Sequence, residues 1–268
     1  MRAVQIKRPG EYAEVELPEP EPGPEDVVVA VGACGVCGTD LHILAGEFPP
    51  TPYPIVPGHE AAGTISAVGS AVVGLSEGDR VGIDPSLFCG ACHFCRLGRG
   101  NLCERWGAIG DTVDGAFAES VKVPAANAYP IPDDMSFGAA AFVEPVSCAV
   151  HAVDRLRLGF GESVLIYGAG TMGLILAQLL RSAGASFVAL CDVNESRLER
   201  AQGFGFTVLG KDSEAVRTAA PRGYDNVIEA TGVTEVANDA MAATAKGGKL
   251  MIFGVAPAGE QASYCLLY

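Results

Sequence analysis

Over the first half of the chain, apolar residues come in short runs, each closed by glycine or proline. Val27–Val31, Ala62–Val68 and Ser120–Val123 read as strands, and a turn cluster occupies Glu19–Pro24. This pattern predicts an irregular β-rich barrel. Near Leu156 the pattern changes. Ser163–Tyr167 is a short apolar strand, a glycine-rich turn follows, and Met172–Ala183 places apolar residues at helical spacing. Phe187–Cys191 is a second strand that ends at Asp192, and a polar helix follows over Asn194–Gln202. Asp225–Glu229 and Lys249–Phe253 read as later strands. Strands alternating with helices predict parallel pairing through right-handed crossovers, an α/β doubly wound parallel sheet. The expected division is a β-rich domain over 1–152 and a doubly wound domain over 153–268, with no internal repeat.

Composition narrows the choice of partner. At 268 residues there is enough apolar material for two cores, and 34 glycines with 17 prolines suit mixed strands and helices better than a bundle. A net charge of -14 argues against nucleic acid or an anionic membrane as the main partner, because phosphates demand a basic face. The start, Met1–Leu17, is charged and alternating, unlike a secretory signal. No apolar run matches a membrane span, and the best stretch, Ala139–Val153, holds Glu144 and Pro145. Nine cysteines without an export signal point to a reducing cytoplasm, where thiols serve metals.

Four of those cysteines, Cys89, Cys92, Cys95 and Cys103, are spaced C-x2-C-x2-C-x7-C in one short loop. So tight a cluster forms disulfides only with strain, but its thiolates can close a tetrahedron around zinc. Such a site is structural, since protein fills every position. Cys34, Cys148, Cys191 and Cys265 have no metal spacing and read as small core residues.

Gly168-Ala169-Gly170-Thr171-Met172-Gly173 is a G-x-G-x-x-G fingerprint between a strand and a helix. Gly168 permits the tight turn, Gly170 lets backbone approach a pyrophosphate, and Gly173 lets the helix pack on the strand. The helix start, at Thr171 and Met172, offers free N–H groups to the phosphates. Asp192 can accept from both ribose hydroxyls and repels a 2′-phosphate, which favours NAD over NADP. Arg197 tempers that preference, though a solvated helix charge is its plainer reading.

Cys37 lies in Cys37-Gly38-Thr39-Asp40-Leu41-His42, and His59 lies in Gly58-His59-Glu60. Taken singly, each is explained as a small apolar residue, a satisfied polar group or a surface charge. Together they propose a second metal site with an open position for water or alcohol. Carrying these motifs, the cysteine loop, Glu144-Pro145 and the fingerprint, the chain resembles the zinc-containing medium-chain alcohol dehydrogenases from near Met1 to about Pro257. The resemblance implies a GroES-like catalytic domain, a Rossmann domain and two zinc ions per chain. The catalytic zinc would be bound by Cys37 and His59, with Glu60 and Glu144 contributing directly or through water. In the implied reaction Thr39 takes the alcohol proton and His42 passes it to solvent. The implied partners are a small-molecule alcohol or ketone, NAD(H), and further copies in a homodimer or homotetramer.

Val143-Glu144-Pro145 resembles the polyol (sorbitol-like) branch, with a threonine-type amino-alcohol dehydrogenase as the alternative. His93 and His151 take no role. Phe48, Trp106 and Phe117 are either pocket wall or plain core. Family members continue beyond Gly254, whereas Ala258–Tyr268 does not resemble their tail, so a truncated or frameshifted reading frame is expected. That would leave the strand through Ile252 as an open edge. It also admits a rival reading, a catalytically silent zinc- and nucleotide-binding protein.

Overall fold

The computed structural model describes residues 1–48, 51–210, 213–256 and 259–263. The chain forms two compact units, Met1–Pro145 and Val146–Tyr268. In the first, β1 (Arg2–Arg8) and β2 (Glu11–Glu16) make an antiparallel hairpin. Seven further strands follow: β3 (Asp26–Gly35), β4 (Glu60–Val68), β5 (Arg80–Ile83), β6 (Ser86–Leu87), β7 (Gly107–Ala108), β8 (Ser120–Pro124) and β9 (Ala128–Pro130). Five of them form an antiparallel sheet in the order β8-β3-β4-β5-β9, and β6 pairs with β7. Three short helices accompany them, α1 (Gly38–Ala45), α2 (His93–Arg96) and α3 (Phe137–Ala140).

The alternation read in the sequence decides which face is buried. Val27 and Val29, Val81 and Ile83, and Val121 and Val123 all enter one core. Two register shifts in β3, at Val28/Val29 and Val31/Ala33, interrupt its pairing with β4. Such irregularities bend a strand and sharpen its twist, which suits a curved sheet.

Helix α4 (Val143–Leu156) begins in the first unit, and the second unit adds α5 (Thr171–Ser182), α6 (Glu195–Gly203), α7 (Ser213–Ala219) and α8 (Thr234–Ala243). Its strands are β10 (Ser163–Tyr167), β11 (Phe187–Cys191), β12 (Thr207–Leu209), β13 (Tyr224–Glu229) and β14 (Thr244–Ile252). They pair in parallel in the order β12-β11-β10-β13-β14. Along β10, Val164 and Ile166 enter one core while Leu165 and Tyr167 enter another. Burial on both faces explains why this strand is apolar throughout rather than alternating.

The structure corrects some details. Strand β14 starts at Thr244 rather than Lys249, because α8 leads straight into it and a register shift lies between Tyr224 and Asn226. Cys148 is exposed on α4, not in a core, whereas Cys191 is buried and Cys34 half-buried. Cys265 lies outside the described residues. Among the described residues β14 is an edge of its sheet, and no helix is long and apolar enough to cross a membrane.

Glu162 ties the ends of several strands together. Its carboxylate accepts from Asn226 Nδ2 at 2.9 Å, Gly159 N at 2.8 Å and Lys249 Nζ at 3.2 Å. These bonds, that from Asn226 foremost, lower its pKa from 4.5 to about 2. A depressed carboxylate stabilises the fold above its unfolded pKa, and that contribution fades as pH falls through the folded value. Thermal melts should therefore weaken from near pH 4.5 toward pH 2, and Glu162→Gln should flatten that part of the profile.

Candidate functional site

The reactive cluster starts at the first turn of α1. Cys37 is the N-cap, its sulfur accepting the Asp40 N–H while Asp40 Oδ2 accepts the Cys37 N–H at 2.8 Å. This reciprocal pair is a capping box with cysteine in the usual serine position. Asp40 is itself buried, and its Oδ1 accepts the Gly58 N–H at 3.2 Å and lies 3.6 Å from His59 Nδ1. One carboxylate thus joins the helix that carries Cys37 to the segment that carries His59. Burial disfavours charge on the His59 ring, but Asp40 and Cys37 overcome this and push its pKa up to about 10.

Cys37, His59 and Glu60 each offer a ligand atom, all within 4.8 Å of one another. Glu60 opens β4 directly opposite Gly35, where any side chain would strike its carboxylate. Burial raises the Glu60 pKa, the Glu144 charge adds to that, and His59 opposes it. Glu144 therefore faces the same region, although it is not part of the three-residue cluster. Thr39 Oγ1 lies 3.7 Å from Cys37 Sγ. His42, lower on α1, sits with Nδ1 2.9 Å from Glu47 Oε2. Among the described residues no hydrogen bond joins Thr39 to His42. One buried oxygen nearby, Asp111 Oδ2, has no partner; Oδ1 of the same carboxylate accepts from Thr51 at 2.5 Å.

The other cluster is built on sulfur alone. Cys89, Cys92, Cys95 and Cys103 bring their Sγ atoms within 4.8 Å of one another, with Cys89 and Cys95 3.9 Å apart and Cys92 and Cys103 4.0 Å apart. A tetrahedron with Zn–S bonds of about 2.3 Å needs sulfurs about 3.8 Å apart, so the donor set fits. Backbone N–H groups of Ala91 and Cys92, with help from Arg105, lower Cys89 to about 6. Desolvation and the neighbouring sulfur of Cys92 push Cys95 up to about 12.

In the second unit the fingerprint turn joins β10 to α5. Gly168 has a φ of 105°, and a Cβ on Gly173 would lie 1.8 Å from the Gly168 carbonyl oxygen. Helix α5 starts after Gly170, so the N–H groups of Thr171 and Met172 open its first turn. Asp192 is buried; its Oδ2 accepts the Ala169 N–H and its Oδ1 the Asn194 N–H, each at 2.8 Å. Arg197 Nη1 lies 3.6 Å from Asp192 Oδ2, so this arginine is paired rather than simply solvated. Successive strands run outward on opposite sides of β10, which places the topological switch between β10 and β13. Open α/β sheets bind ligands at the carboxyl ends of strands at such a point.

Comparison with known proteins bears on both units. The alcohol dehydrogenase GroES-like domain family matches residues 23–133, and the zinc-binding dehydrogenase family matches residues 171–266. The chain belongs to the zinc-binding alcohol dehydrogenases. It is 38% identical to D-arabinitol dehydrogenase 1 of Uromyces fabae, over 95% of this chain and 75% of that protein. It is also 38% identical to the L-threonine 3-dehydrogenase of Shewanella woodyi, over 92% of this chain and 75% of the relative. A zinc-binding dehydrogenase of Sinorhizobium meliloti 1021, solved with NADP, superposes with a TM-score of 0.93 at 39% identity, covering 98% of this chain and 79% of that one. The GroES-like and Rossmann folds are thereby shown. The family match runs to residue 266, past the Pro257 limit expected from the motifs.

Two residues of this dehydrogenase escaped the sequence reading. Asp40 was visible only as part of a C-x-x-D cap. Glu229, buried at the end of β13, accepts the N–H groups of Thr231 at 2.6 Å and Gly232 at 3.0 Å and so shapes the turn beside the switch point. A run of strand ending in an acid was its one signal.

Zinc must displace the Cys95 proton, so affinity at the four-sulfur site should rise with pH through neutrality, as chelator competition can measure. Cys103→Ser should lower bound zinc and loosen the lobe in proteolysis. Gly173→Ala should weaken NADH binding about tenfold or more, since the helix can no longer close on the turn; fluorescence titration checks this.

Proposed function

We propose that the chain is a zinc-dependent oxidoreductase that transfers a hydride between a polyol or other secondary alcohol and NAD(H). The observation that carries this reading is the cluster of Cys37, His59 and Glu60, with one sulfur, one imidazole and one carboxylate inside 4.8 Å. Such a mixed set suits a catalytic zinc with an open position, whereas four sulfurs close their site. When bound, the metal supplies Lewis acidity to an alcohol oxygen and the nicotinamide supplies a hydride acceptor.

The chain's own residues do the rest. Asp40 holds Cys37 and His59 in register, and Glu60, backed by Glu144, adjusts the negative charge around the metal. Thr39, beside the Cys37 sulfur, takes the alcohol proton. His42 donates Nδ1–H to Glu47, which leaves Nε2 free to carry that proton to solvent. Gly168, Gly170, Thr171, Met172 and Gly173 hold the pyrophosphate, and Asp192 meets the adenosine ribose. The Asp192 charge favours NAD over NADP, less sharply because Arg197 offsets part of it. In this reading residues 1–152 serve catalysis and 153–268 bind the nucleotide. The chain works in the cytoplasm, without a nucleic-acid partner, in keeping with its charge of -14.

Val143-Glu144-Pro145 and the similarity to an arabinitol dehydrogenase favour a polyol. The equal identity to a threonine dehydrogenase supports the second reading, an amino alcohol. A substrate panel followed by NADH absorbance separates them, the higher kcat/KM deciding. Two zincs per chain with no turnover on any alcohol would instead favour the silent protein.

Cys37→Ser should abolish turnover while NADH still binds; unchanged turnover would refute the assignment. His42→Ala should lower kcat/KM about 10²-fold, the scale of lost general-base help.

A further inference from the structure

Strands β11 and β12 do not start level. Phe187 opens β11, but the first pair between the two strands is Ala189 with Thr207, so Phe187 and Val188 have no strand partner on that side. Gly205, with a φ of 77°, comes just before β12 and has no side chain to fill the space. What remains is a hollow of about 210 Å³, lined by Arg181, Ser186, Phe187, Gly205 and Thr207 among others. It lies at the amino ends of the parallel strands, away from the fingerprint turn at their carboxyl ends. Helix α5 spans the distance, with Thr171 at one end of its 12 residues and Arg181 near the other, about 18 Å of helix.

Among the described residues that line the hollow, Arg181 alone is charged. Its guanidinium lies 4.3 Å over the Phe206 ring, and its Nη1 donates to the Phe204 carbonyl oxygen at 3.0 Å. These contacts hold the planar fork in place while most of its five N–H donors stay uncommitted. Among the described residues no carboxylate pairs with it. Thr207 is exposed, and among the described residues its hydroxyl makes no hydrogen bond.

The rim is aromatic. Phe187 and Phe204 are exposed, and Phe160 is 99% exposed on a turn between two glycines. The Phe160 ring lies beside Gly184, where a Cβ would be 3.6 Å from it, next to Ala185 and Ser186 of the lining. Apolar residues scattered singly over a surface are ordinary, but three rings around one unpaired cation form a patch.

We propose that this hollow binds a small organic carboxylate that carries an aromatic ring, at a site separate from the dinucleotide's. The carboxylate pairs with the free N–H groups of Arg181 and accepts the Thr207 hydroxyl, contacts that charge strengthens. The ring packs against Phe187 and Phe160, where offset or edge-to-face stacking is available. Charge and size select this class. One guanidinium neutralises a monoanion but leaves a phosphate dianion half-paired. The volume also falls below the range of about 300–1,000 Å³ that suits drug-sized ligands, which leaves room for a single ring.

Fluorine NMR titration of 4-fluorophenylacetate into the full chain tests this, with 4-fluorophenylacetamide as the same ring without the charge. The acid should bind saturably with a dissociation constant of about 1 mM, the scale for so small a ligand, and the amide about tenfold more weakly. Arg181→Gln and, separately, Thr207→Glu should each weaken the acid about tenfold or more, the first by removing the cation and the second by adding a like charge. Thr207 is exposed on an edge strand, so its variant carries the test even where Arg181→Gln disturbs α5. Cys37→Ser and saturating NADH should leave the binding unchanged, which separates this hollow from the metal cluster and the dinucleotide site. No saturable binding, equal binding of acid and amide, or a wild-type constant in either folded hollow variant overturns the proposal. Loss of the probe in Cys37→Ser, or its displacement by NADH, overturns it too, since the acid then sits elsewhere.

Discussion

The first unit depends on one buried carboxylate. Asp40 accepts from the Cys37 and Gly58 backbones and faces His59, so it binds together two segments that are distant in sequence. Hydrogen bonds to a charged acceptor are each worth about 1.5–3 kcal/mol, and losing one partner leaves the other group buried and unsatisfied. The geometry of the candidate cluster is thus set by a residue that lies outside it. Outer partners of this sort fix which ring nitrogen of a histidine faces a metal.

The second unit solves its positioning problem by steric means. The helix of the fingerprint approaches its strand so closely that a single methyl group on Gly173 would overlap the Gly168 carbonyl. Asp192 adds a polar clamp, its two oxygens bonded to the turn at Ala169 and to Asn194 before α6. The same carboxylate therefore braces both the fingerprint turn and the entry to α6, and a change made at Asp192 disturbs both.

Local patterns were legible in the sequence because local backbone fixes them. Cysteine spacing and glycine spacing each describe a single loop, and alternating valines gave β3, β5 and β8 their inner face. What escaped was set by tertiary contact. Asp40 looks like an ordinary cap until Gly58 and His59 are brought beside it. The meeting of His42 with Glu47 requires the left-handed turn at Gly46, with φ of 78°, to fold the chain back on the helix. Cys148 has no metal spacing and so reads as a core residue, yet its place on α4 turns it outward. Strand β12 is only three residues long, too short for periodicity to register.

The contrast between Cys89 and Cys95 has a chemical consequence. With one sulfur near 6 and another near 12, a lobe stripped of its ion would hold a thiolate and a thiol side by side at neutral pH. Backbone N–H groups lower Cys92 as well as Cys89, and a thiolate is the form that electrophiles and peroxides attack. A metal held by this lobe would thus also be a form of protection, masking its anionic sulfurs.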